Sequence, residues 1–223
     1  MFPPVPEPIS SVLGKIVGRA SSQMVPFIRS TWVSWLETAG WDEERIGQVM
    51  GRIPSNEISR GQIRACSRQV ANAEADFADL LVLTLIWGRG KSNGRMKPHI
   101  ITLLAHNGLE NALEKISDAT ILDGAAGGHR AWTLPGLREP FFTKFLWAVT
   151  SHRYSNERCL VLDGNVRESL KALGVEWPAV DRHEKYEWYV NLVRSWCNDT
   201  HDPEDLEWLL FRMNGDLSKL ECS

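Results

Sequence analysis

Residues 132–173 read WTLPGLREPFFTKFLWAVTSHRYSNERCLVLDGNVRESLKAL, and their pattern decides the fold class. Leu134-Pro135-Gly136-Leu137 is a turn signal set between two helical patterns. On a helical wheel the near neighbours of Lys144 are Leu137, Pro140, Phe141, Trp147, Ala148 and Ser151, five of them apolar. Phe142, Leu146 and Val149 on the other side make this helix apolar almost all round, as a central helix is.

A lysine in that setting has two readings. Either its stem packs on the aromatics and the ammonium snorkels to water, or burial disfavours the charge and leaves a nucleophilic amine. The wheel alone favours the first. Asp163 shifts the balance. It follows Leu160-Val161-Leu162 and precedes Gly164 to Leu170, which reads as helix, so it stands at or next to an N-cap where a carboxylate stays ionised. By itself that is a plain cap. A buried lysine after a turn, with a carboxylate 19 residues later at a helix start, is a pairing that suits chemistry.

Outward from this stretch, helical periodicity continues almost everywhere. It predicts helices over Met24–Thr38 (Trp32, Trp35 and Leu36 inward), from Asp42-Glu43-Glu44 onward, and over Ile58–Ala71 and Glu74–Trp87. Further helices are expected over Pro98–Leu104, Gly108–Ile116, His183–Cys197 and, behind Asp202-Pro203, Glu204–Met213. Cys159 to Leu162 is the one strand-like run, and a buried extended connection explains it equally well. The expectation is an all-α protein, one domain over 1–223. Lobes over 1–90 and 91–223, with the active site between them, are the other organisation the sequence allows.

The four cysteines, at 66, 159, 197 and 222, form no metal knuckle, redox pair or iron–sulfur cluster spacing, and the six histidines show no zinc motif. No metal and no cofactor are expected. The longest apolar run, Leu80 to Trp87, is too short to span a bilayer, and the Pro-rich start lacks a secretory pattern, so a cytoplasmic protein is expected. The net charge of −3 divides unevenly. Residues 1–175 hold 20 Lys+Arg against 17 Asp+Glu, and residues 176–223 hold 5 against 11. A basic face can therefore coexist with an acidic tail. Monomer is the default, since no long apolar seam is left over.

Turn, lysine and downstream aspartate together resemble the helix-hairpin-helix DNA glycosylases with a Gly/Pro-rich loop and catalytic aspartate. The nearest likeness is to compact prokaryotic 8-oxoguanine DNA glycosylases, carried by Phe141-Phe142-Thr143-Lys144-Phe145 and Leu162-Asp163. It covers roughly 130–173, with a weaker likeness at Leu85 to Gly90. One departure stands out: Gly136-Leu137 is followed by Arg138 where a second glycine is usual, so either the hairpin is longer or Arg138 makes its own phosphate contact.

The resemblance implies a helix-hairpin-helix fold with that segment at about 128–173 and an enzyme acting on double-stranded DNA that holds a modified base. In it the base is removed by hydrolysis or by attack of Lys144 on the sugar, with Asp163 assisting, and the imine of the second route would permit strand cleavage as a second activity. Gly136, Arg138 and Arg167 would serve DNA binding. The Gly/Lys/Arg loop from Trp87 to Lys97 adds Arg89, Lys91, Arg95 and Lys97, and an exposed loop of solvated charges is its plain alternative. It lacks the spacing of a Walker loop. Trp87, Trp132, Phe141 and His152 are the candidates for the base pocket. Repair of oxidised guanine is the first expectation. Removal of hypermodified bases from phage DNA, a non-catalytic DNA-binding protein, and a helical interaction module using the acidic run Asp199–Glu207 are the alternatives.

Overall fold

The computed structural model describes residues 2–91, 96–197 and 201–220. Among them the chain forms twelve α-helices and one two-stranded sheet. In order these are α1 (Glu7–Ser10), α2 (Arg19–Ser22), β1 (Met24–Pro26), α3 (Arg29–Thr38), α4 (Glu43–Gly51), β2 (Glu57–Ser59), α5 (Arg60–Ala71), α6 (Phe77–Arg89), α7 (Lys97–Leu104), α8 (Leu109–Ala131), α9 (Glu139–Thr150), α10 (Gly164–Ala172), α11 (Arg182–Cys197) and α12 (Pro203–Met213). The fold is all-α, as the periodicity requires. No helix of the described residues is long and apolar enough to cross a membrane.

Two helices set the frame. Every residue of α6 from Ala78 to Trp87 is buried, and so is every residue of α9 from Phe142 to Thr150. They pack on each other, with α5 and α8 flanking both. A helix buried on all sides cannot choose its neighbours by an amphipathic stripe; the surrounding helices, each with one apolar face, are arranged around it.

The helix expected over Glu74–Trp87 forms as Phe77–Arg89, and three further boundaries differ from the sequence expectation for a local reason. Met24–Pro26 is a strand, pairing antiparallel with Glu57–Ser59 (Val25 opposite Ile58), and the helix starts only at Arg29. Pro26 disfavours helical backbone at Val25, and its missing N–H suits a short edge strand. Ile58 likewise belongs to β2, because Ser59 and Gln62 form a capping box that starts α5 at Arg60. The helix expected to end at Ile116 runs on to Ala131, bent at Gly124, where φ is 71° and ψ is −164°. Asp42, Asp163 and Asp202 all cap helices through side-chain bonds to backbone N–H groups.

Candidate active site

Lys144 stands in the second turn of α9 and is 8% exposed. Its Nζ donates to the carbonyl of Pro140 at 2.9 Å, the carbonyl one turn back, and lies 3.5 Å from Asp163 Oδ2. The ammonium is therefore held against the protein and not extended into bulk solvent. Burial pulls its pKa below the ordinary lysine value, while Asp163 and Glu207 act to hold it up. The aromatic faces of Phe141 and Trp87 flank the nitrogen at 5.8 and 6.0 Å. On the α6 side, the lysine stem lies against Gly88: a Cβ there would sit 2.8 Å from Cδ of Lys144.

Asp163 is delivered by an extended run without a strand partner. Such a run must satisfy its backbone from side chains. The Cys159 and Leu162 N–H groups donate to the hydroxyls of Thr150 (2.8 Å) and Thr143 (3.2 Å). Tyr186 and Tyr189 of α11 donate to the carbonyls of Leu160 and Val161 at 2.7 and 2.8 Å. The segment is thus sewn to α9 on one side and α11 on the other. Its last residue arrives beside Lys144, with Oδ1 accepting from Val166 N–H at 3.1 Å and Oδ2 left toward the amine. One carboxylate caps a helix and faces the lysine at once.

Both groups open on a cavity of about 220 Å3, lined also by Gln23, Val25, Arg60, Trp87, Arg89, Val161, Glu207 and Phe211. Arg60 and Glu207 lie outside the residues singled out from sequence. Arg60 is 1% exposed and forks onto Glu207, at 3.1 and 2.8 Å, with its guanidinium about 5 Å from the Trp87 and Trp147 rings. Glu207 also accepts from Val161 N–H, so it ties α12 to the run that carries Asp163. Behind it Glu204 accepts two bonds from Arg64 at 2.9 Å and one from Arg158 at 3.0 Å. Asp205 accepts from the N–H groups of Gly18 and Ala20. The acidic run read as a possible surface tail thus turns three of its carboxylates inward; Asp199 lies outside the described residues. A sequence signal existed: Glu207 sits among Leu206, Leu209 and Leu210, a charge within an apolar stripe, as Lys144 does.

The structure brings Lys144, Asp163, Trp87 and Arg89 to the cavity, and places Phe141 at its edge over the Lys144 amine and the Arg89 guanidinium. Trp132 stacks on Phe142 instead (5.3 Å, 16° between planes). His152 bonds through Nδ1 to Ser67 Oγ at 2.9 Å and does not line the cavity. Gly136 (φ 86°) forms the turn before α9 and packs on the His99 carbonyl; Arg138, the N-cap of α9, is exposed. Arg167 pairs with Glu139 and stacks on Trp177 at 4.9 Å. Lys91 and Lys97 are exposed, and Arg95 lies outside the described residues. Glu139 also meets His129 (2.9 Å), which in turn contacts His183 (2.8 Å). Among the described residues no group of side chains has the composition to hold a metal ion. Burial pushes the thiols of Cys66 and Cys159 up to about 11 and that of Cys197 up to about 12, which keeps them protonated at neutral pH.

Comparison with known proteins finds a family for the chain. The profile described as "Putative 8-oxoguanine DNA glycosylase OGG-like protein" matches residues 18–211, and the chain belongs to that family. No curated protein and no solved structure matches.

Proposed function

We propose that this chain is a DNA glycosylase that removes an oxidised purine, with 8-oxoguanine as substrate, through attack by Lys144 on the sugar. The observation that carries the reading is the pairing: a largely buried lysine amine, a helix-capping carboxylate 3.5 Å away, and a cavity that both line. The family match is to 8-oxoguanine glycosylase-like proteins, which favours repair over removal of glucosylated bases.

The target nucleotide is turned out of the duplex, since its glycosidic bond is unreachable in the stack. The segment 125–138 with α9 acts as a helix-hairpin-helix. Backbone N–H groups at the turn, Arg138, and the basic residues near 89–97 hold phosphates without reading sequence. Asp163 takes a proton from the Lys144 ammonium. The Nζ lone pair then attacks C1′ as the bond from C1′ to the base breaks, and the base leaves with that electron pair and takes up the proton that Asp163 holds. The carboxylate so restored balances the positive charge left on the sugar and amine. Ring opening gives an imine between Nζ and C1′ and a hydroxyl at C4′. Loss of a C2′ proton from the imine then expels the 3′ phosphate, the lyase step.

Borohydride trapping on duplexes containing 8-oxoguanine tests this. Wild type is expected to give a covalent band that Lys144→Gln abolishes, with duplex affinity nearly unchanged. A band on glucosylated hydroxymethylcytosine but not on 8-oxoguanine would overturn the substrate. An alkali-sensitive site without any band would keep the glycosylase and remove Lys144 from the nucleophile's role.

A further inference from the structure

The cavity confronts one lysine with two carboxylates. Asp163 is 3.5 Å from Nζ, and Glu207 lines the same space. In a poorly hydrated site a second free carboxylate would pair with the ammonium and hold its proton. Most of the lone pairs of Glu207 are already occupied. Both its oxygens are taken by the Arg60 guanidinium in a planar fork, and one also by Val161 N–H. Arg60 itself has no freedom to let go. It is 1% exposed, lies against the rings of both Trp87 and Trp147, and has Glu204 at 3.6 Å from Nη1, one of the two nitrogens of the fork.

We infer that Arg60 is a positioning residue of the reaction: its grip on Glu207 reserves the Lys144 amine for Asp163 alone. This rests on the reading of Lys144 as nucleophile. The groups around the amine are consistent in sign. Asp163 from the start of α10 and Glu207 from α12 favour its charge, and Arg60 from α5 opposes it. Arg89 ends α6 beside Phe141; Glu204, Arg64 and Arg158 stand behind the pair, and the Tyr189 hydroxyl is committed to Val161. With Arg60 present the second carboxylate is held in the fork and its effect on the amine is partly offset. Without it, Glu207 turns to Lys144.

Two readouts test this separately from the glycosylase reading. The first needs no DNA: acetic anhydride labelling of Lys144, followed by peptide mass spectrometry across pH with surface lysines as internal reference. Arg60→Met is expected to shift the labelling midpoint upward, with at least tenfold less labelling at neutral pH. Arg60→Met/Glu207→Gln is expected to return it to the wild-type value, because neither charge remains, and Arg60→Lys to stay near wild type. Glu207→Gln alone should move it downward. The second readout is the pH profile of imine trapping, whose rising limb should move with the labelling midpoint in each variant. An unchanged midpoint in Arg60→Met, or one that the second substitution does not restore, overturns the proposal. Labelling that behaves as expected in a protein that traps no imine on DNA overturns the nucleophile reading and leaves the Arg60 effect on the amine established.

Discussion

Two residues in contact with Lys144 have roles that separate stability from chemistry. Gly88 is helical, in the last turn of α6, where glycine costs roughly 0.5–1 kcal/mol against alanine. What it provides is room for the lysine stem, which a Cβ would meet at 2.8 Å. Gly88→Ala is therefore expected to leave the melting temperature unchanged or raised, while imine trapping falls at least tenfold. A loss of stability with trapping intact would show that the stem moves aside harmlessly. Asp163 can be divided the other way, because it both caps α10 and faces the amine. Asparagine is a good cap without the charge, and alanine is neither; losing the cap costs roughly 1 kcal/mol. Trapping should fall by about 10²-fold or more in both Asp163→Asn and Asp163→Ala, and urea melts should show lowered stability only in the alanine variant.

At the scale of elements, the bend in α8 and the extended run before α10 deliver the site. The bend lets 109–123 and 125–131 follow different directions, so the second piece packs on α9 and leads into the turn at Gly136. At φ 71° and ψ −164° only glycine is comfortable, and a side chain there stores roughly 1–3 kcal/mol of strain. Gly124→Ala is expected to lower the unfolding free energy by that amount in urea melts. Because the strain reaches α9, trapping should slow as well. A straightened α8 without loss of trapping would place the hairpin's orientation elsewhere. The wheel made α9 legible from sequence, since an all-round apolar helix with one lysine is a local pattern. The bend was not legible, because Gly124 has helical sequence on both sides.

At the scale of the whole molecule, the uneven charge along the chain is resolved by folding. Acidic residues of the last 48 positions pair with arginines from α5 and from the segment after α9, so an excess that looks like a tail becomes internal. Burial pushes the Glu204 carboxyl up, but Arg60, Arg64 and Arg158 together hold it below the ordinary glutamate value. A carboxylate depressed on folding contributes stability that is present above its unfolded pKa, roughly 4.3, and is lost as pH falls through the folded value. Asp79, Glu110, Asp205 and Glu207, raised chiefly by burial, act in the opposite sense. The informative quantity is thus the gap between wild type and Glu204→Gln. That gap in unfolding free energy should be widest near neutral pH and should close as pH drops below roughly 4. A gap that stays constant across that range would mean Glu204 contributes by shape and not by charge.

The amino-acid sequence by itself determined the helical class, the helix starts at Asp163 and Asp202, and the oddity of Lys144, because periodicity, capping and a lone charge on an apolar helix are all properties of neighbouring residues. It also marked Asp163 as a carboxylate at a helix start. Only the tertiary structure decided what faces that pair. Arg60 and Glu207 are 147 residues apart and meet because α5 and α12 converge under the segment that carries Asp163. Trp132 and His152 lie close to the site in sequence and take other partners. The physical reason is range. Hydrogen bonding along one helix is written locally, whereas a buried charge finds its partner through the packing of elements that the chain brings together only on folding.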